Sequence, residues 1–346
     1  MADDSPVNRI AVLALTEGGC TLGARLAQAL AADFYASKGQ LAETMRRVWN
    51  QYEGIICIMA AGIVVRTIAP LLQDKYHDPA VVVCDEQGQF AISLVSGHLG
   101  GANELAHDVA RQTGGQAVIT TASDVLGQTA LDLWCRDVRL VAADRKQLTR
   151  CMGKLVDRGR VALWSRFPLP MLPEDIQQIG DPAKADLIID TLAHPESASA
   201  ALLYPKALVV GIGCNRGTPA DEIAEAVYTT CETHHQSPHC IARLATINLK
   251  RDEAGLLEFA TRQHLEIVFY SADQLNQVEN VAFSAAAFKA TGAQGVAEPA
   301  ALLAAGKNSR LVIHKTRWPN VTVAIAEIAN PLQADIHINH TRTPHE

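Results

Sequence analysis

Residues 90–112, FAISLVSGHLGGANELAHDVARQ, read as a strand (Phe90–Val95), a glycine-rich turn and a helix (Leu99–Gln112). The apolar run changes to helical spacing just after the glycines, where a chain leaving a buried strand turns back over a sheet. Upstream, Ala80–Cys84 precedes the short polar link Asp85-Glu86-Gln87-Gly88-Gln89, so Ala80–Val95 predicts a hairpin. Arg9–Leu15 and Gly54–Ala60 are further buried strands, and Ala117–Thr121 follows the helix. Helical patterns occupy Thr21–Ala32 and Leu41–Tyr52. Gly62–Leu72 starts helical and is interrupted by Pro70. Strands alternating with helices predict α/β architecture.

A second series begins at residue 206. Lys206–Gly211 is a strand, Gly211–Pro219 a turn, and a helix runs to about Cys231. Thr218 is expected at its cap, with Pro219 first in the helix and an acid third. Strands at Leu244–Leu249, Leu265–Tyr270, Leu311–Lys315 and Val321–Ile328 follow, with helices at Asp252–His264 and Pro299–Ala305. Between the two series lie the basic helix Asp144–Arg158, the strand Arg160–Trp164, and a proline-rich stretch from Pro168 to Pro182 followed by strand-like Leu187–Asp190. The expected organisation is two α/β domains with mainly parallel or mixed sheets. Residues 1–135 form the N-terminal domain, 136–205 a small middle segment or linker, 206–330 the C-terminal domain, and 331–346 a flexible tail carrying His337, His340 and His345.

Composition bounds the function. The 346 residues are 48% hydrophobic and 19% charged, which suits a globular protein with more than one core and excludes a disordered or coiled-coil chain. No apolar run is long enough for a membrane helix, and Met1–Pro6 lacks the features of a secretory signal. A cytoplasmic protein is expected. The net charge of −7 comes with no basic stripe, which argues against nucleic acid. The eight cysteines form no Cys-x-x-Cys and read as reduced thiols.

Two loops are candidates for ligand binding. Gly97, Gly100 and Gly101 let backbone amides approach a ligand, beside Asn103 at a helix start that favours an anion. The second loop holds Gly213, Asn215, Arg216 and Thr218. Neither is a phosphate-binding Gly-x-x-x-x-Gly-Lys loop or a full Gly-x-Gly-x-x-Gly fingerprint, which weighs against a nucleotide enzyme. Either loop also reads as a tight strand–helix turn without a ligand. His98 and Glu104 are candidates for acid/base work, with His107 one turn beyond Glu104. A solvated helix face explains Glu104 and His107 equally well. Arg66, in an apolar helix, and Arg216 are either carboxylate anchors or ordinary ion-pair partners. His234, His235, His239 and Cys240 do not follow a zinc spacing, and no metal site is expected. Cys214 stands at a helix start, where a thiol pKa falls, but no histidine is near it in sequence. No Gly-x-Ser-x-Gly elbow exists.

The blocks Ile58–Leu72, Asp78–Val83, Leu94–Ala106, Ile119–Asp124, Gly211–Pro219, Leu244–Lys250 and Asn320–Ala326 resemble, in order, the cobalt-precorrin-5A hydrolase family of anaerobic cobalamin biosynthesis. The resemblance spans about residues 9–328. It implies an enzyme that opens the δ-lactone of cobalt-precorrin-5A and releases acetaldehyde, giving cobalt-precorrin-5B. Cobalt arrives inside the tetrapyrrole substrate, so no separate cofactor is implied. On this reading His98 or Glu104 activates water, and amides around Gly97–Ala102 hold the oxyanion. Arg66, Arg216 and Lys250 meet the substrate's carboxylates. Transient contacts with neighbouring pathway methyltransferases are a further expectation. The rival from another class is a non-catalytic tetrapyrrole carrier.

Overall fold

The computed structural model describes residues 9–192 and 199–332. The chain divides into two compact units, 1–133 and 134–346.

The first unit is built on one six-stranded sheet. In chain order the strands are β1 (Ile10–Ala14), β2 (Asp33–Ala36), β3 (Gly54–Ile58), β4 (Ala80–Cys84), β5 (Phe90–Val95) and β6 (Gln116–Val118). Their spatial order is β2-β1-β3-β4-β5-β6. The first four are parallel, as buried runs such as GIICI and AVVVC require, since helices must cover both faces. β5 returns antiparallel to β4 through the expected hairpin, and β6 is parallel to β5. The ends of β5 and β6 therefore lie at the edge of the sheet where β4 begins. One face packs on helices Glu17–Ala29 and Ala102–Thr113, the other on Leu41–Trp49 and Ala61–Ile68. The helix expected from Leu99 starts at Ala102, because Gly101 takes φ +83 and breaks helical continuity.

The second unit holds two sheets. The stretch expected as a middle segment carries one of them. β7 (Leu140–Ala142), β8 (Val161–Ser165), β9 (Ile176–Gln178), β10 (Leu187–Ile189) and β11 (Ala201–Pro205) are ordered β7-β11-β10-β8-β9. The helix Arg145–Arg158 is capped by the Asp144 side chain, which accepts from the Lys146 amide.

The last sheet contains β12 (Leu208–Cys214), β13 (Ile241–Ile247), β14 (Glu266–Tyr270), β15 (Arg310–Arg317) and β16 (Val321–Glu327), in the order β14-β13-β12-β16-β15. Arg166 ties the two sheets together. It pairs with Asp190 at 2.8 Å and with Glu327, whose other oxygen takes Arg310 at 3.0 Å. The helix after β12 starts one residue later than expected, at Ala220. The Thr218 hydroxyl turns into the loop and donates to Asn215 O at 2.9 Å, leaving extended Pro219 as the cap residue. Of the expected tail, residues 333–346 lie outside the described residues.

Candidate functional site

β5 ends at Val95, and the next turn is strained. Ser96 takes φ +59, an uncommon left-handed conformation for a residue with a side chain. Its hydroxyl donates to Asp78 O at 2.8 Å, which pins the turn to the start of β4. A Cβ on Gly100 would collide with Ser96, and one on Gly97 would stand 2.8 Å from Asn103 Oδ1. Both glycines are therefore required by the close packing of the loop.

The turn places His98 in a nearly closed position, its side chain 8% exposed. Nε2 lies 2.6 Å from Asp124 Oδ2 and 3.3 Å from Ser123 Oγ. Nδ1 faces Asp132 Oδ1 at 3.6 Å. Asp124 and Ser123 come from the short helix Ala122–Val125 after β6, and Asp132 from helix Leu131–Asp137. Asn103 completes the group. It donates to Asp124 Oδ2 at 2.9 Å and to Thr121 Oγ1, and its Oδ1 accepts from Ser93 at 2.6 Å. Lys75 stands 3.6 Å from Asp132 on the far side from His98.

Electrostatics follow from these contacts. Asp132 across Nδ1 raises the His98 pKa, burial opposes it, and Asp124 adds to the rise. Burial pushes the Asp132 carboxyl upward, but His98 and Lys75 outweigh it and hold the group below its ordinary value. The side chain of Asp132 is 4% exposed, whereas that of Asp124 is 37% exposed. Asp124 is thus the acid of this group that meets solvent.

The sequence reading named His98, Asn103 and the glycines of this cluster, but not Asp124, Asp132 or Ser123 as partners of His98. The block Ile119–Asp124 was the available signal for Asp124. Asp132 lies outside the family-like blocks and reaches His98 only through the fold. Glu104 and His107 point to solvent on the helix Ala102–Thr113, with no hydrogen bond to the His98 group. The amides of Gly101, Ala102 and Asn103 donate to His98 O, Ser96 O and Gly97 O. They are spent inside the loop, and no backbone hydrogen bond from the amides at 98–100 occurs among the described residues. Arg66 is exposed at the end of helix Ala61–Ile68, its guanidinium folded back over Gly62.

At the opposite end of the first sheet, a pocket of about 470 Å³ opens where β1, β3 and β4 finish. This is the point where the strand order reverses, the usual crevice of an open α/β sheet. Its walls are mainly apolar, with Met59, Ile63, Phe90 and Ile92 among them. Its acids are already engaged: Asp85 accepts the Gln87 and Phe90 amides, and Glu86 accepts from Thr16 at 2.9 Å. The pocket suits an apolar surface, while the acid/base groups converge at His98.

In the second unit, the loop after β12 is closed by acids of its own. Glu253, 2% exposed, accepts from the Gly217 amide at 2.6 Å and from Lys250 Nζ at 2.9 Å. Arg216 pairs with Asp252 at 3.0 Å. Asn215 donates to Asn320 through both backbone and side chain. A Cβ on Gly213 would meet Thr322 Oγ1 at 2.6 Å, so this glycine serves packing against β16. Burial pushes the Cys214 thiol up, against the pull of Lys250, which makes it a poor nucleophile. His239 stacks on Tyr204, and Cys240 is buried against Asp190. Among the described residues no group of three or more His, Cys, Asp or Glu is placed to hold a metal ion.

Two family models match this chain: cobalamin synthesis G N-terminal over residues 43–124, and cobalamin synthesis G C-terminus over 208–326. A cobalt-precorrin-5A hydrolase of Priestia megaterium is 37% identical over 309 residues, covering 84% of this chain and 82% of that protein. The chain belongs to the cobalt-precorrin-5A hydrolase family. The hydrolase of that name from Salmonella typhimurium is 33% identical and covers 91% of this chain and 97% of its own. The crystal structure of CobE, a protein of the cobalamin pathway, matches 35% of the chain at 33% identity with a TM-score of 0.34, and 89% of CobE is covered. The His98 loop and Asp124 fall inside the N-terminal family model, and Asp132 falls outside it.

Proposed function

We propose that this protein opens the δ-lactone of cobalt-precorrin-5A and releases acetaldehyde, giving cobalt-precorrin-5B. Membership of the hydrolase family supports the reaction. The observation that carries the site is a nearly closed histidine with a carboxylate facing each ring nitrogen, in a loop that is part of the family model.

The chemistry asks for three things: a base for water, donors for the acyl oxyanion, and a route for the leaving oxygen. The His98–Asp124 pair supplies the acid/base function. Backbone amides at 98–100 are the oxyanion donors. The freed alcohol then gives up its proton, its C–O bond becomes the aldehyde carbonyl, and the electron pair of the broken C–C bond passes into the conjugated macrocycle. Arg66, for which no ion pair occurs among the described residues, is an anchor for a peripheral carboxylate. Arg216 and Lys250 contribute only by exchanging Asp252 and Glu253 for the substrate.

No helix among the described residues is long and apolar enough to cross a membrane. We place the reaction in the cytoplasm, with the tetrapyrrole as partner and passage of product to a neighbouring methyltransferase. The test is acetaldehyde release when purified protein meets cobalt-precorrin-5A, followed together with loss of the lactone. Tight binding without release would replace this reading with the carrier.

A further inference from the structure

We infer that the carboxylate of Asp124, rather than the imidazole of His98, takes the proton from the attacking water, and that His98 serves it as a doubly protonated positioning residue. This rests on the hydrolase reading of the site.

Three observations carry the assignment. First, His98 has no ring nitrogen to spare. Nε2 is 2.6 Å from Asp124 and Nδ1 is 3.6 Å from Asp132. A neutral imidazole has one N–H and can donate toward only one carboxylate, whereas an imidazolium serves both. A base needs a lone pair aimed at water, and this ring offers none. Second, exposure separates the two groups. His98 is 8% exposed and Asp124 37%. Third, the two oxygens of Asp124 differ. Oδ2 is held by His98 and by Asn103 at 2.9 Å, while no hydrogen bond to Oδ1 occurs among the described residues. One oxygen orients the carboxylate and the other faces outward. Val125 and Leu126, which follow directly in the sequence, are 68% and 57% exposed and offer an apolar surface for the body of a macrocycle.

The charges around Asp124 balance along a chain. His98 reaches it from the turn after β5, Asn103 from helix Ala102–Thr113, and Ser123 from its own short helix. Asp132 lies beyond His98 on helix Leu131–Asp137, and Lys75 beyond Asp132 from the segment before β4. Asp132 and Asp124, one at each ring nitrogen, both favour the protonated form of His98. In the step itself, Asp124 Oδ1 takes one proton from water, and the hydroxide adds to the lactone carbonyl. The acyl–oxygen bond breaks, and the departing oxygen recovers that proton from Asp124. One water is consumed and the carboxylate is regenerated.

The test compares Asp124→Asn, Asp124→Glu and His98→Asn by acetaldehyde release from cobalt-precorrin-5A, with kcat and KM separated and kcat/KM followed from pH 4 to 9. Circular dichroism confirms that each variant is folded. The expected result for Asp124→Asn is a kcat at least about 100-fold lower, within the range for loss of a general base, with KM changed less than about threefold. Asp124→Glu restores part of the rate. The wild-type kcat/KM shows no acid limb between pH 6 and 7. His98→Asn keeps measurable turnover, with kcat lowered and KM little changed, whereas loss of the base itself abolishes turnover. An acid limb near pH 6.5 that vanishes in His98→Asn would overturn the assignment and make His98 the base. So would folded Asp124→Asn with near wild-type kcat. A wild-type protein that releases no acetaldehyde would sink the hydrolase reading itself, and this inference with it.

Discussion

The Gly217 amide donates to Glu253 at 2.6 Å, so the loop expected to hold a ligand's anion already holds one from its own chain. The same carboxylate takes Lys250 on its second oxygen at 2.9 Å. Burial pushes Glu253 up, but Lys250 and the amide outweigh it and hold it below its usual range. Removing the carboxylate strands a mostly buried ammonium and a loop amide. Glu253→Ala is expected to cost about 3 kcal/mol, as breaking one partner of a buried pair does. Urea unfolding followed by fluorescence checks this. A loss below about 0.5 kcal/mol would mean the loop does not depend on Glu253.

His98 and Asp132 make the first unit pH-sensitive in a defined direction. The His98 pKa is raised by folding, so its contribution is complete below the unfolded value near 6.5 and is lost as pH rises through the higher folded value. Asp132 is depressed, so its contribution is present above the unfolded value near 4 and is lost as pH falls through the folded one. Tm measured against pH is therefore expected to fall from about pH 6 toward 9. His98→Gln is expected to flatten that fall. A wild-type Tm that rises steadily over the same interval would contradict the geometry.

Glu104 was the second acid/base candidate by position alone. On the helix it points to water, away from the His98 group. Glu104→Ala is expected to keep at least about half the wild-type acetaldehyde release. A 100-fold loss in a folded variant would place the substrate on the outer face of that helix.

Much of this arrangement was legible because it is local. The strands Gly54–Ile58 and Ala80–Cys84 are uninterrupted apolar runs, and the hairpin between β4 and β5 has a short polar link. Of the middle sheet, β8 and β10 fall on Arg160–Trp164 and Leu187–Asp190, which read as strands, whereas β7 and β9 are three residues each, too short to show a period. The site divided in the same way. His98 and Asn103 sit in a conspicuous glycine turn, whereas Asp132 is one acid among many on a short helix and gains meaning only when the chain brings it to Nδ1. Arg216, read as either a carboxylate anchor or an ion-pair partner, is the latter with Asp252, and Lys250 pairs with Glu253. Arg216 and Asp252 stand 36 residues apart, so nothing in the sequence marks them as neighbours, whereas Lys250 and Glu253 are only three apart.

Arg166 offers the sharpest test of the second unit's construction. Its side chain is 26% exposed, yet the carboxylates it joins are nearly sealed: Asp190 at 3% and Glu327 at 8%. It also donates to Thr191 Oγ1 at 2.7 Å. One guanidinium thus neutralises acids from the middle sheet and from β16. Arg310, on the outer strand, can still satisfy Glu327, but Asp190 would lose an ion-pair partner. Arg166→Ala is expected to destabilise the unit by about 3 kcal/mol, as removing one member of a buried ionic network does. Arg166→Lys recovers only part of this, because an ammonium cannot span two carboxylates as a fork does. Equal stability of wild type and Arg166→Ala at pH 7 would show that the two sheets are held together by their apolar contacts alone.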